Sequence, residues 1–581
     1  MTYDIIIDNA TIYDGTGRLP YAADIAVKNE KICEIGQLKE ARAKTRLDAA
    51  GKVLCPGFID IHSHADLVVH LADHHKTLEP LLRQGITTFV GGNCGAGLAP
   101  FSKEHREEGL LYMSFFIGED QGPHAKWNTM SEMMDTIEDR GMVLNAGLLT
   151  PHGQLRIGAL GMLNRPAKVD EMKTMKRLLS ESLEAGALGM STGLQYFPGL
   201  ASDEAELTEL AEIVSANDAV FTSHLRSYSN TLTQAIDEIM TISRKTGVRI
   251  QLSHLFWLPN VNIVVDRAVA GILRAGAVVY KHLKIPVPLD LAMREKLSVM
   301  GKAIDEGLPM GMDAMPTGTG FTHAFAFMPP WSLEGGREKV MSRFADPVVR
   351  QKIYRSIMRG KSVWPHRKPD TWSMNFFKLM GFKSIHLMGV RSDANKKYQG
   401  MNFVAIGKAL GKHPFDAICD MLMEEDGNVL VYETPTWPGD EFAERSVYAS
   451  VSDPNVSVVT DTLLLGHGIP SHLFYDCFPK LMSKYARDEK HMTLQEAIRK
   501  STSLPAMQLG IKNRGLIRRG YWADLVMFDR DTIQSNSTPL KPDAFPSGIE
   551  YVLVNGHPVV TPGGGYHPAP RKGKLIRRGD N

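Results

Sequence analysis

The run Pro56-Gly57-Phe58-Ile59-Asp60-Ile61-His62-Ser63-His64 ends a short apolar segment in two histidines. On an extended chain alternate side chains share a face, so His62 and His64 point the same way. Two neutral imidazoles converging on one point suit a zinc-type metal. The same pair also reads as two polar residues opening a loop. Recurrence along the chain favours the first reading. Apolar segments at 87–91, 143–149, 187–191, 219–223, 248–253, 309–313 and 456–460 alternate with amphipathic stretches such as 169–185 and 203–216. Strand–helix alternation of this length predicts an α/β fold with a parallel sheet, and about eight repeats fit a closed, TIM-like (β/α)8 barrel. Chemistry in such barrels gathers where the strands end.

The other strand ends carry matching residues. Phe221-Thr222-Ser223-His224 closes one apolar run, Ile250-Gln251-Leu252-Ser253-His254 the next, and Val456-Ser457-Val458-Val459-Thr460-Asp461 the last. The segment 86–90 leads into Gly91-Gly92-Asn93-Cys94-Gly95-Ala96-Gly97. That glycine run lacks the Lys-Ser/Thr of a phosphate loop and the GxGxxG order of a dinucleotide site. A cysteine nucleophile would need a histidine base, and the histidines at hand serve better as ligands. Glycines here let the backbone crowd a metal site, and a thiolate is a good zinc ligand.

Bulk properties set the outer limits. The 581 residues are 43% apolar and 23% charged, with a formal net charge of +1, which indicates neither a nucleic-acid footprint nor a membrane-surface patch. No apolar run reaches the roughly 18 residues of a spanning helix. Five scattered cysteines without a CxxC pair predict no disulfide scaffold and a reducing, cytoplasmic setting. The first residues show no basic, cleavable leader. Residues 3–55 read as short strands and turns, and so do 523–528 and 551–556. The two ends are therefore expected to form one small β-sandwich from 1–55 and 515–581, flanking a barrel over 56–514. Insertions are expected near 257–290 and 323–450, the latter with a helix at 404–424.

The set His62, His64, His224, His254 and Asp461 resembles the strand-end pattern of the amidohydrolase superfamily, a barrel with a mono- or binuclear metal centre. In binuclear members a carboxylated lysine on the fourth strand usually bridges the ions. Here that strand reads Gly186-Ala187-Leu188-Gly189-Met190-Ser191-Thr192-Gly193 and has no lysine. Cys94, on the neighbouring second strand end, is the substitute expected to bridge.

In order along the chain, the motifs resemble the N-acyl-D-amino-acid deacylase (D-aminoacylase) family. They are Pro56 to His64, Gly85-Ile86-Thr87-Thr88, Gly92-Asn93-Cys94-Gly95, Gly189 to Tyr196, His224-Leu225-Arg226, Ser501 to Ala506, Asn513-Arg514-Gly515 and Gly520 to Val526. The resemblance implies a cysteine-bridged centre of one or two Zn2+ ions. The ion at Cys94, His224 and His254 would be the tighter, and Asp461 would shuttle the proton. It implies hydrolysis of an amide-like C–N bond.

The chain departs from that family where the substrate carboxylate is held. The family's Ser-His-x-Lys is Ser253-His254-Leu255-Phe256 here, and its His-Pro-Arg has become Ser471-His472-Leu473. Its Tyr-Pro-Tyr has become Ala314-Met315-Pro316. Tyr196 alone remains of the carboxylate contacts. A desolvated carboxylate without partners costs several kcal/mol, so a neutral or apolar small molecule is expected against Tyr196, Phe256, Met315 and Leu473. Two alternatives stand. Lys281 and Lys284 could supply the cations, with His282 a rival ligand to His254, or the same scaffold could run a lyase or C–C hydrolase reaction. No nucleic-acid or membrane partner is expected, and a homo-oligomer is left open.

Overall fold

The computed structural model describes residues 2–117, 125–257, 288–364, 371–372, 374–375, 377–378, 381–433, 447–538 and 541–580. Both ends of the chain meet in one mixed sheet. From the start come β1 (Thr2–Ile12), β2 (Tyr21–Lys28), β3 (Lys31–Gly36), β4 (Arg42–Asp48) and β5 (Val53–Pro56). From the far end come β19 (Leu525–Phe528), β20 (Ile549–Val554), β21 (His557–Thr561) and β22 (Gly565–Tyr566). The seam is β5 against antiparallel β19, with Cys55 opposite Val526. Alternation sends Ile5, Ile7, Ile25, Val27, Leu54, Leu525, Met527 and Leu553 into one shared core, which makes each end depend on the other. Gly57 then donates its N–H to the Asp524 carbonyl oxygen at 2.8 Å as the chain leaves the sheet.

Next come the barrel strands β6 (Phe58–Asp60), β7 (Ile86–Gly91), β8 (Asn145–Pro151), β9 (Gly189–Gly193), β10 (Val220–His224), β11 (Arg249–Leu252) and β12 (Met310–Ala314). β18 (Val456–Val458) follows the insertion. They pair in the order β18-β12-β11-β10-β9-β8-β7-β6, every pair parallel. Nearly every strand residue is buried, as expected when helices cover the outer face. Three of those helices are Val169–Glu184, Glu204–Ala216 and Leu232–Thr246. The ring is drawn together beyond the strand ends. Asp461 N–H donates to His62 O at 2.9 Å, and His64 N–H donates to Thr462 O at 2.7 Å. Barrel closure and assembly of the candidate site thus use the same residues. The strand β23 (Leu575–Ile576) returns to pair with β8.

Above the barrel mouth, β13 (Gly320–His323), β17 (Leu430–Glu433) and β16 (Ile385–Gly389) form a small antiparallel sheet. A two-residue pair, β14 (Lys361–Ser362) with β15 (Thr371–Trp372), lies in the same insertion. The helix expected over 404–424 is two helices, Phe403–Leu410 and Pro414–Glu424. Gly411 turns left-handed at φ 66° and Pro414 restarts the chain at the first position of the second helix. Among the described residues no helix is long and apolar enough to cross a membrane.

Candidate metal centre

His62, His64, Cys94 and Asp461 place one donor atom each within 4.8 Å of one another, and so do Cys94, His224 and His254. Cys94 is common to both groups. Its Sγ is 3.2 Å from His62 Nε2, 3.6 Å from His224 Nδ1 and 3.7 Å from His254 Nε2. His224 Nδ1 and His254 Nε2 lie 2.9 Å apart, and Asp461 Oδ1 is 3.3 Å from the Nε2 atoms of both His62 and His64. All six residues are buried. Buried imidazoles crowded this closely around a thiol and a carboxylate, with few other polar partners, have the donor chemistry of a metal site. The arrangement fits two ions sharing the cysteine sulfur.

The backbone at these residues is unusual. Cys94, His254 and Asp461 have φ of 53°, 34° and 53°, a left-handed conformation that costs a side-chain-bearing residue about 1–2 kcal/mol. Neighbouring contacts hold it. Asn93 Nδ2 donates to Val90 O at 2.9 Å and to Ile61 O at 3.3 Å, tying the cysteine loop to the His62 segment. Ser191, on the fourth barrel strand, accepts from Gly95 N–H at 3.1 Å and donates to Gly92 O. The strand without a lysine therefore fastens the cysteine in place. Glycine is required at the contact itself, since a Cβ on Gly193 would stand 2.0 Å from Cys94 O.

A second layer orients the imidazoles. Gln195 Oε1 is 3.2 Å from His224 Nε2, which assigns that nitrogen the proton and leaves Nδ1 facing the sulfur. Asp313 Oδ1 accepts from His254 N–H at 2.7 Å and stands 3.5 Å from His62 Nδ1. Gln251 in turn donates to Asp313 Oδ2 at 2.8 Å. Asp60, two residues before the His-x-His, accepts from Thr460 N–H at 3.1 Å and Thr460 Oγ1 at 2.5 Å, pinning β6 to the Asp461 segment. None of Gln195, Asp313 or Asp60 figures among the residues singled out from sequence. The one local signal was a carboxylate inside the apolar run Phe58-Ile59-Asp60-Ile61.

The electrostatics agree with a cation-seeking cluster. Burial opposes charge on Cys94, yet the His62 imidazole beside it holds its thiol well below the usual range. Burial works against protonated His62 as well, but the Cys94 and Asp461 charges raise it. His224 goes the other way, lowered to about 4 by burial, which keeps it neutral as a ligand must be. Asp461 remains acidic despite burial because His62 and His64 face it.

The cleft over the cluster, about 390 Å3 with its solvent mouth, is walled by Ala96, Phe116, Tyr196, Phe321, Thr322 and Leu463. Tyr196 stands where the sequence places it, its ring 4.5 Å from that of His224. The other three expected substrate contacts do not line this cleft. Phe256 stacks on Tyr228 at 4.6 Å, one layer out. Met315 is buried, and Leu473 opens the helix Leu473–Lys480 with its carbonyl turned toward Gln84. The apolar wall is instead supplied by Phe116 and by Phe321 of β13, which no local motif announces. Lys281, His282 and Lys284 lie outside the described residues.

The sequence profile of the amidohydrolase family matches residues 446–560, which include β18 and Asp461. An N-acyl-D-glutamate deacylase of Alcaligenes xylosoxydans xylosoxydans is 27% identical over 576 residues, spanning 99% of this chain and 96% of that one. The crystal structure of a D-aminoacylase described as defining a novel subset of amidohydrolases superposes with a TM-score of 0.76 at 23% identity, over 99% of this chain and all of that one. An N-acyl-D-glutamate deacylase from Bordetella bronchiseptica, solved with zinc and a phosphonate inhibitor, gives 0.74 at 24% identity, again over 99% and 100%. The eight-stranded barrel of this chain is the fold of those amidohydrolase structures. Over nearly its whole length the chain is similar in sequence to an N-acyl-D-glutamate deacylase and to a D-aminoacylase.

Proposed function

We propose that the chain is a zinc-dependent hydrolase of an amide-like C–N bond whose substrate lacks a free carboxylate at the reacting end. The observation that carries the reading is Cys94 Sγ standing between two donor sets while Asp461 reaches both His62 and His64. Cys94, His224 and His254 would hold one ion, and His62 and His64 would hold a second with Cys94 and Asp461. The Bordetella relative was solved with zinc, and this thiolate–imidazole donor set suits the same metal. Bound there, zinc supplies Lewis acidity toward a carbonyl oxygen and brings a water's pKa toward neutrality.

The chain's own residues do the rest. Asp461 accepts the water's proton at its carboxylate and returns it to the leaving nitrogen. Tyr196 and Thr322 offer hydroxyls to the substrate's polar atoms, while Phe116, Phe321 and Leu463 exclude water from the reacting bond. Among the described residues, none that lines this cleft is a lysine or arginine, which supports a substrate without a carboxylate.

The test is turnover of paired amides, each as a free acid and as its carboxamide, by wild type and Asp461→Asn. Preference for the carboxamide, abolished in the variant, is the expected result. Full turnover by Asp461→Asn would sink the mechanism. Preference for the free acid would sink the substrate assignment and favour Lys281 and Lys284 as its grip.

A further inference from the structure

Glu433 ends β17, directly opposite Gly320 of β13. Residues paired across an antiparallel ladder project to the same face, so Glu433 shares its face with Thr322, two positions from Gly320. Thr322 walls the cleft and is hydrogen-bonded to the Tyr196 phenol, which Glu433 is near enough to influence electrostatically. The carboxyl folds flat over Gly320, where a Cβ would meet Oε1 at 2.9 Å. It is 8% exposed, and Oε2 has no hydrogen-bond partner among the described residues.

A buried carboxyl is ordinarily paired, because leaving one alone forfeits hydration without return. Burial raises this one to about 8, so it stands uncharged until a partner arrives. We propose that Glu433 is a specificity-determining residue that pairs with an amino group on the substrate, making the substrate class an N-acyl compound bearing an amine rather than a second carboxylate. This deepens the hydrolase reading above and rests on it. An anionic arm would meet Glu433 with no lysine or arginine among the described residues of the cleft wall to offset it. An ammonium arm reaching past Thr322 meets an unsatisfied acceptor on the same face of the sheet, and a desolvated ion pair discriminates strongly against neutral isosteres.

The test uses the metal-loaded enzyme and three N-acetyl carboxamides of matched size, with a neutral, an ammonium or a carboxylate end. Wild type should show kcat/KM for the ammonium compound about tenfold above the neutral one, with the carboxylate compound lowest. Glu433→Gln should collapse that ratio about tenfold. Gly320→Ala, which displaces the carboxyl without removing it, should reduce the ratio in the same direction and guards against a folding defect in the first variant. An unchanged ratio in both variants, or preference for the carboxylate compound, overturns the proposal. Calorimetric binding of the same compounds needs no turnover. Retained ammonium selectivity without hydrolysis would refute the hydrolase reading and leave this assignment standing.

Discussion

Glu206→Gln should unsettle the shelf on which the cysteine loop rests. Glu206 is 3% exposed and accepts from Arg156 Nη1 at 2.6 Å, lies 2.9 Å from His152 Nε2, and takes Ala167 N–H at 3.1 Å. Arg156 and His152 both belong to the helix His152–Leu160, whose Gly153 N–H donates to Gly95 O beside Cys94 at 3.1 Å. Burial works against the Glu206 charge, but His152 and Arg156 outweigh it and hold the carboxyl at about 2 against an ordinary 4.5. That difference is worth about 3 kcal/mol of stability. Because the folded value is depressed, the contribution is fully present above the unfolded value and is lost as pH falls toward the folded one. Urea unfolding of wild type and Glu206→Gln should therefore differ by about 3 kcal/mol at pH 7, and the gap should narrow by about 1 kcal/mol at pH 4. The loss at neutral pH should come with weaker metal retention, since the helix carries the loop. A gap below about 1 kcal/mol at pH 7, or one independent of pH, would show that Arg156 and His152 do not hold the carboxylate in its charged form.

Gln195→Leu removes the acceptor that fixes the His224 tautomer, and chelator competition should report metal affinity weakened about 10- to 100-fold. Thermal unfolding of the metal-stripped form should move little by comparison. Gly193→Ala drives a Cβ to within 2.0 Å of Cys94 O, so the cysteine loop must shift. Metal content should fall well below that of wild type, and normal loading would contradict so close a contact between Gly193 and the cysteine loop.

The barrel and its donors were legible because they obey short-range rules. Each strand is a brief apolar run, and His62, His64, His224, His254 and Asp461 sit at or just beyond the ends of such runs. The layer behind them was not legible. Asp313 and Gln195 act across strands, on His254 and His224, and nothing in their own neighbourhoods marks that role. The cleft wall was less legible for a related reason. Aligning Phe256, Met315 and Leu473 with a family's motif positions says where the backbone passes, not where the side chain turns. Phe256 turns to Tyr228, and Leu473 is absorbed into the core. Phe116 and Phe321 reach the cleft from a helix and from the small antiparallel sheet of the insertion, whose packing no periodicity records. The division of 404–424 into two helices was readable from Gly411 and Pro414, both breakers placed where the apolar pattern runs on across them.

Under the proposed function, Cys94 ligates metal from a position shared by both donor sets. Zinc K-edge X-ray absorption on the zinc-loaded enzyme tests it most directly, because sulfur scatters from a longer distance than nitrogen or oxygen. A sulfur shell at about 2.3 Å, averaging one sulfur per zinc at full loading and absent in Cys94→Ala, is the predicted result. A first shell of nitrogen and oxygen alone in the wild-type enzyme would contradict it.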